Sequence, residues 1–492
     1  MIKLPTLFKS TFIYTILGFI PIGVSFLLSP LLTYYLSPSD FGIISISNLF
    51  NTYLTVFLCL GFDAAFSRFY FDFFKTPKIL NEFYSTTLIS ILAFSGIAFI
   101  ILQIFGDRIL ALIFKKDSFS YFPLGTLTLF TSIFSIFFII IQQYYRNTEN
   151  LKSFARTSLY NTILNIGFIV LGVVVYKLGP FGSVFGKFLA ISIMVVPMLI
   201  IIFFKIGFVF KISSFIKLLK YGVPIALYLF IGILFDNYDK VIVENNFSTS
   251  QFGIYNFAFI ISAVINVFLA AFQSATYPSL YKNWESSNTV EIEGIKRTFN
   301  YLHELDCLVI TLVIAFASPL MIYIINKSYI EALNYIPIMC LAFIPRTYFI
   351  TYSTTLFYNK NTITLPIINF LSFVVGVTML KVFFVNYGLL GICYSVVFTK
   401  FVQLLFSIIA VKIIDPESFR SKFLLKKAHF LNFFTILLIL LCIYFSDIFP
   451  VQKYFYRFII NFIPLLFVLT YVICKYFNVI LLFLGKFGAK KN

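Results

Sequence analysis

Long apolar runs follow one another along almost the whole chain, each about one bilayer wide and divided from the next by a short polar stretch. A helix needs ~20 apolar residues to cross ~30 Å of hydrocarbon. In lipid its backbone must satisfy its own hydrogen bonds. A membrane β-barrel would instead alternate apolar and polar residues over ten-residue segments, and these runs are continuous. The pattern predicts about fourteen helices, at 11–36, 43–62, 85–105, 121–142, 157–176, 181–204, 222–235, 252–274, 306–326, 333–357, 362–384, 388–411, 430–446 and 458–482. The break after the fifth is only Lys177-Leu178-Gly179-Pro180. The first run is too long for a cleavable leader and lacks its small-residue end, so it is read as the first span.

Two short patterns recur. Leu36 to Ile43 reads LSPSDFGI and Phe247 to Ile254 reads FSTSQFGI, 211 positions on. Leu178-Gly179-Pro180-Phe181-Gly182 returns as Tyr387-Gly388-Leu389-Leu390-Gly391, 209 positions on. The first pair follows helices 1 and 7, and the second lies between helices 5 and 6 and between 11 and 12. That places a six-helix unit in use twice. Six is even, so both copies keep one orientation, a plan known in transporters with the substrate at the interface of the halves. The expected fold is an all-α integral membrane protein with two six-helix repeats plus two C-terminal helices. The expected parts are an N-terminal lobe at 1–204, a cytoplasmic linker at 205–221, a C-terminal lobe at 222–411, and two additional helices with a tail at 412–492. In the linker Ile212, Phe215, Ile216 and Leu219 recur at helical spacing while Lys211, Lys217 and Lys220 keep to the other side. It reads either as a helix lying on the membrane surface or as an ordinary basic linker.

Composition sharpens this picture. The 492 residues are 60% hydrophobic and 11% charged, against about 25% charged in soluble domains. The net charge of +18 would suggest nucleic acid in a soluble protein. Here most lysines and arginines fall in alternate loops, as cytoplasmic loops require, and no nucleic-acid partner is expected. Both termini are thereby placed in the cytoplasm. Cys59, Cys307, Cys340, Cys393, Cys442 and Cys474 each lie in or beside an apolar run without metal-site spacing, so neither disulfides nor zinc are expected. His303 and His429 fall in presumed cytoplasmic loops and form no cluster.

No catalytic constellation is present: no phosphate-binding G-x-x-x-x-G-K-[ST], no H-E-x-x-H, no nucleophile elbow. The chain is read as a transporter and not an enzyme, with no cofactor and no metal. Charges inside spans are then the candidates, because each costs at least ~2.5–3.5 kcal/mol at mid-bilayer. Lys187 is in helix 6, Arg346 in helix 10 and Lys400 in helix 12. By the repeat offset Lys187 maps to Val396, one helical turn from Lys400. Lys187 either serves the cargo or snorkels to the interface, and Lys400 is harder to explain by snorkelling. A structural role for Arg346 requires an anionic partner, which helix 10 does not offer. Arg68, at the cytoplasmic mouth of helix 2, either meets an anionic headgroup or is ordinary positive-inside placement. Asn48, Asn51, Asn161, Asn165, Asn266, Gln273 and Asn369 bring amides into the spans, to bind sugar hydroxyls or to tie helices together.

Three further motifs carry a family resemblance. L-L-K-Y-G-V-P at Leu218 to Pro224, D-K-V-I-V at Asp239 to Val243 and F-G-I-Y-N at Phe252 to Asn256, with Y-L-S-P-S-D-F-G-I at Tyr35 to Ile43 and Arg68-Phe69-Tyr70, resemble bacterial polysaccharide exporters of the O-antigen flippase type. These belong to the multidrug/oligosaccharidyl-lipid/polysaccharide exporter superfamily. The family usually shows Asp-Arg where this chain has Asp239-Lys240, which keeps the charge and loses two-pronged pairing. The resemblance implies two six-helix lobes, a central cavity and alternating access. It implies a cargo of undecaprenyl-diphosphate-linked oligosaccharide, an O-antigen or capsule repeat unit, moved from the inner to the outer leaflet of the bacterial plasma membrane. Membrane lipids and a polysaccharide polymerase are the further partners. A cationic cavity built from Arg346, Lys400, Lys187 and Arg68 would suit the diphosphate. A multidrug antiporter of the same superfamily and a flippase of peptidoglycan lipid precursor remain the alternatives. The first sits less well with basic charges at mid-span.

Overall fold

A computed structural model describes residues 20, 23–114, 119–284, 289–359, 361, 363–417, 426–448 and 459–475. The expected first span therefore lies outside the described residues before position 20 and at 21–22, as does the tail beyond 475. The described chain is helical: α1 (Gly23–Leu32), α2 (Pro38–Cys59), α3 (Phe62–Phe73), α4 (Pro77–Ile113), α5 (Thr126–Asn147), α6 (Leu151–Val170), α7 (Gly179–Ile206), α8 (Ile212–Asn246), α9 (Thr249–Ser262), α10 (Val264–Trp284), α11 (Thr289–Ile324), α12 (Ala332–Leu341), α13 (Phe343–Tyr358), α14 (Thr364–Ile414), α15 (Lys426–Ile448) and α16 (Ile459–Lys475). Among the described residues ten segments are long and apolar enough to cross a membrane, and three shorter apolar helices accompany them. The tenth segment, α14, has 51 residues and is broken at Gly388 (φ 57°, ψ −132°). Its two arms are the two expected helices 362–384 and 388–411, so fourteen apolar elements result. Large apolar side chains such as Phe204, Ile104 and Val385 are exposed, the surface a lipid solvent calls for.

The chain divides into two compact units, one at 1–257 and one at 258–492. In the first, the repeated turns form the same structure twice. Ser37 caps α2, accepting from the Asp40 N–H at 3.2 Å while Asp40 accepts from the Ser37 N–H at 3.0 Å. Ser248 and Gln251 make the same reciprocal pair at 3.2 Å each way ahead of α9. This is the capping box, which satisfies two orphan donors at a helix start. The two turns also pack on one another. A Cβ on Gly42 would lie 2.1 Å from the Thr249 carbonyl oxygen, and one on Gly253 would lie 1.9 Å from that of Pro38. Residue 38 corresponds to 249 and residue 42 to 253, so each turn offers the other the same surface. The Asn256 amide donates to Ser45 at 2.7 Å across the same 211-residue interval.

The second repeat match is equally concrete. Gly179 and Gly388 both adopt positive φ, at 59° and 57°, a conformation only glycine takes without strain. Each opens a tight helical hairpin. A Cβ on Gly182 would meet the Gly172 carbonyl at 2.6 Å, and one on its counterpart Gly391 would meet the Phe383 carbonyl at 2.0 Å.

Two expectations need correction. The interval left between the predicted helices 252–274 and 306–326, where His303 is expected in a loop, is not a loop throughout: α10 runs to Trp284 and α11 begins at Thr289. The segment 212–221 is continuous with the seventh span in the 35-residue α8. Its approach is strapped to α4, where Ser85 donates to the Gly207 carbonyl and accepts from the Val209 N–H, each at 2.9 Å, and Thr86 accepts from the Lys211 N–H at 3.1 Å. Phe215 stacks with Phe94 at 6.2 Å and Lys217 sits 5.0 Å over the Phe73 ring. Of the apolar face of this segment Phe215 packs on α4, while Ile212 and Ile216 are exposed.

Candidate functional site

In the first unit a polar seam runs between α2, α5 and α7. The Lys187 ammonium donates to Asn48 Oδ1 at 2.5 Å. One turn along α2, Asn51 Oδ1 accepts from Ser132 at 2.6 Å and from Thr55 at 3.3 Å. Ser47 and Thr128 share a bond of 2.6 Å. Asn48 and Asn51 thus tie helices together, and Asn48 gives Lys187 a neutral acceptor inside its unit. Arg68 is exposed and pairs with Asp72 at 2.8 Å, one turn along α3, the geometry of an ordinary surface ion pair. Asp239 and Lys240 take separate hydrogen-bond partners: Asp239 accepts from Tyr255 at 2.5 Å, and Lys240 donates to Asn237 at 2.8 Å.

In the second unit Arg346 lies on α13 and Lys400 on the second arm of α14, both half-buried, on helices that pack together. Arg346 sits over the Phe343 ring at 5.9 Å. Helix 10 indeed offers it no acid, but α11 does. Asp306, fully buried, lies within electrostatic reach of Arg346 and accepts from the neighbouring Thr347 hydroxyl at 2.6 Å. Its Oδ1 has no hydrogen-bond partner among the described residues.

Asp306 borders a buried network. The Cys307 thiol donates to Asn432 Oδ1 at 2.7 Å, which leaves the Asn432 amide as donor. That amide reaches Tyr348 Oη at 2.8 Å and His303 Nδ1 at 3.3 Å. Tyr348 Oη in turn shares a hydrogen bond of 2.8 Å with His429 Nδ1, and His303 Nε2 meets Thr351 Oγ1 at 3.3 Å. With Nδ1 facing an amide that can only donate, His303 carries its proton on Nε2. The histidines do cluster, contrary to expectation: the chain has two, and they flank one tyrosine, with ring centroids 4.1 and 5.4 Å from that of Tyr348. Nearby, buried Glu304 pairs with Lys475 of α16.

Sequence reasoning missed Asp306, His303, Glu304, Thr347, Tyr348 and Asn432. The signal was their spacing. His303, Asp306 and Cys307 fall at three- and four-residue intervals, as do Thr347 and Thr351, and residues so spaced share a helix face. Starting the predicted helix at 306 and placing His303 in a loop hid that face. Among the described residues no group of three or more histidines, cysteines and acids could hold a metal.

A family model described as "Polysaccharide biosynthesis protein" matches residues 7–284. No curated protein matches the chain. Solved structures of similar fold include a lipid II flippase, MurJ, in an inward closed conformation, with a TM-score of 0.68 at 15% identity over 95% of this chain and 99% of that one. An inward-facing multidrug resistance transporter of the MATE family and MOP superfamily aligns with a TM-score of 0.61 at 13% identity, over 85% of this chain and 97% of that one. A MOP-superfamily transporter from Pyrococcus furiosus, described as having a binding pocket of reversed polarity, aligns at 0.55 and 13% identity, over 84% and 96%.

Proposed function

We propose, since this chain belongs to the polysaccharide biosynthesis protein family, that it is a flippase for polyprenyl-diphosphate-linked oligosaccharide, an O-antigen or capsule repeat unit. It moves the cargo from the inner to the outer leaflet of the bacterial plasma membrane by alternating access, with both termini in the cytoplasm. The family match supports the polysaccharide class, and the likeness to a protein named as a lipid II flippase supports a lipid-linked cargo. The observation that carries the reading is the set of cations held inside apolar helices, Lys187 on a neutral amide and Arg346 beside a single buried acid. A diphosphate needs such charges, and in a low dielectric each interaction with it is strengthened. Lys400 completes the set, and Arg68 receives the headgroup at the cytoplasmic mouth. A polysaccharide polymerase consumes the product.

Deleting the gene is expected to stop surface polymer and to accumulate an undecaprenyl-linked repeat unit in the inner leaflet. Unchanged surface polymer ends this reading. In the complemented strain, Arg346→Ala and Lys400→Ala should each cut export ~10-fold or more at normal protein level, the scale of one hydrogen bond to a charged group, about 1.5–3 kcal/mol. Full export by both variants removes these residues from the site.

A further inference from the structure

A cavity of about 230 Å³ lies in the first unit between α4, α5 and α7, and the flippase reading does not use it. Its polar lining is Tyr84 from α4, Tyr144 and Tyr145 from α5, and Lys205 from the last turn of α7. The rest of the lining is apolar, Ile201 and Ile202 of α7 included. Local packing holds the polar groups in place. Tyr84 and Tyr144 stack with ring centroids 5.1 Å apart and planes 9° from parallel, and Tyr145 meets Tyr144 edge to face at 6.1 Å. Ser85, the residue after Tyr84, holds the chain just beyond Lys205 through its bonds to Gly207 and Val209. The end of α7 is thereby fixed against α4.

Two observations point to a ligand. Tyr84 is 3% exposed, and its buried hydroxyl has no hydrogen-bond partner among the described residues. Such a hydroxyl is costly until it is paired. Lys205 is exposed and makes no ion pair or hydrogen bond among the described residues. One cation, three hydroxyls and, among the described residues, no acid suit an anion of about one charge. The rim of the cavity decides what kind. Ile201 is 53% exposed, on a helix long and apolar enough to cross a membrane. A ligand seated there places a polar head among the tyrosines and an apolar body in the bilayer. A phosphodiester carries one negative charge and matches the single ammonium. A diphosphate would leave charge unanswered.

We propose that this cavity binds the headgroup of an anionic phospholipid of the phosphatidylglycerol type. The phosphodiester oxygens accept from the Lys205 ammonium and from tyrosine hydroxyls. The glycerol hydroxyls both donate and accept, so Tyr84 gains the partner it lacks. The acyl chains leave past Ile201 into the bilayer. An ethanolamine headgroup would bring a second ammonium beside Lys205 and meet no acid in the described lining, so it binds less well. The bound lipid joins α4, α5 and α7 where the strap crosses and steadies the first unit.

The test is native mass spectrometry of the full-length protein in detergent, titrated with dioleoylphosphatidylglycerol. Wild type should hold this lipid ~5-fold or more tighter than dioleoylphosphatidylethanolamine. Lys205→Met should weaken binding ~10-fold, the scale of one hydrogen bond to a charged group, and Tyr84→Phe ~3–10-fold. Lys205 is exposed, so its replacement leaves the fold intact. Melting curves give a second readout. Added phosphatidylglycerol should raise the melting temperature of wild type and leave that of Lys205→Met unmoved. Without lipid, Tyr84→Phe should melt no lower than wild type, because the lost hydroxyl had no partner. Equal affinity for the two lipids, or a variant that binds phosphatidylglycerol as wild type does, overturns the proposal. So does displacement by millimolar inorganic phosphate, which would make this a site for a free anion. Displacement by equimolar undecaprenyl diphosphate would assign the cavity to the cargo and overturns it as well. The flippase reading stands or falls apart from these outcomes.

Discussion

Gly253→Val protein is expected to accumulate poorly in the membrane and, once purified, to melt many degrees below wild type. The valine Cβ would sit 1.9 Å from the Pro38 carbonyl oxygen and 2.8 Å from the Gly42 nitrogen. Both obstacles are backbone, so no side-chain rotation relieves them. Overpacking of a flexible core costs about 1–3 kcal/mol, and a clash against two fixed helix starts belongs at or beyond the upper end. Gly42→Val should do the same from the other side, against the Thr249 carbonyl at 2.1 Å. Gly96→Ala is the control. Nothing lies within 4 Å of that position, and alanine is the better helix former by about 1 kcal/mol. Melting curves of the three variants by fluorescence-detected size exclusion decide the matter. A Gly253→Val protein as stable as wild type would mean that the two turns do not meet.

The second large effect is expected at the end of the described chain. Lys475→Met should destabilise the protein by about 3–5 kcal/mol, the cost of breaking a buried ion pair by removing one partner. Glu304 is buried, and without the ammonium its charge must be borne by an apolar interior. Adding Glu304→Gln to Lys475→Met should recover much of that loss, because the stranded charge is then gone. A double-mutant cycle on purified protein measures the coupling. Additive effects would show that the pair does not hold α16 to α11. The exposed pair of Arg68 with Asp72 offers the contrast: water and salt already screen it, so its loss should leave the melting curve almost unmoved.

The span pattern was legible because hydrocarbon imposes one long-wavelength rule on every helix. The repeat was legible because turns need particular residues at particular places. Ser37, Asp40 and Gly42 have counterparts in Ser248, Gln251 and Gly253, and Gly179 has its counterpart in Gly388. The buried network of the second unit was not legible. Its members come from α11, α13, α15 and α16, and no local spacing joins His303 to Asn432 or Glu304 to Lys475. Composition also misled at one place. The stretch before 306 is polar enough to read as a loop, yet α11 carries His303, Glu304 and Asp306 inward, where Asn432, Lys475 and Thr347 of other helices meet them. Arg346 shows the same gap from the other side, since an acid was sought on its own helix and the one within electrostatic reach stands on α11.

The contact between the two repeated turns has a genealogical consequence. Because Pro38 meets Gly253 as Thr249 meets Gly42, the surface is complementary to itself. A gene encoding only one repeat would yield a chain able to greet its own twin through that face, two copies doing what one fused chain does now. In such an ancestor any change at the glycine struck both sides of the contact at once. In one continuous chain each side of the contact can change by itself, and Asp40 against Gln251 and Pro38 against Thr249 already differ.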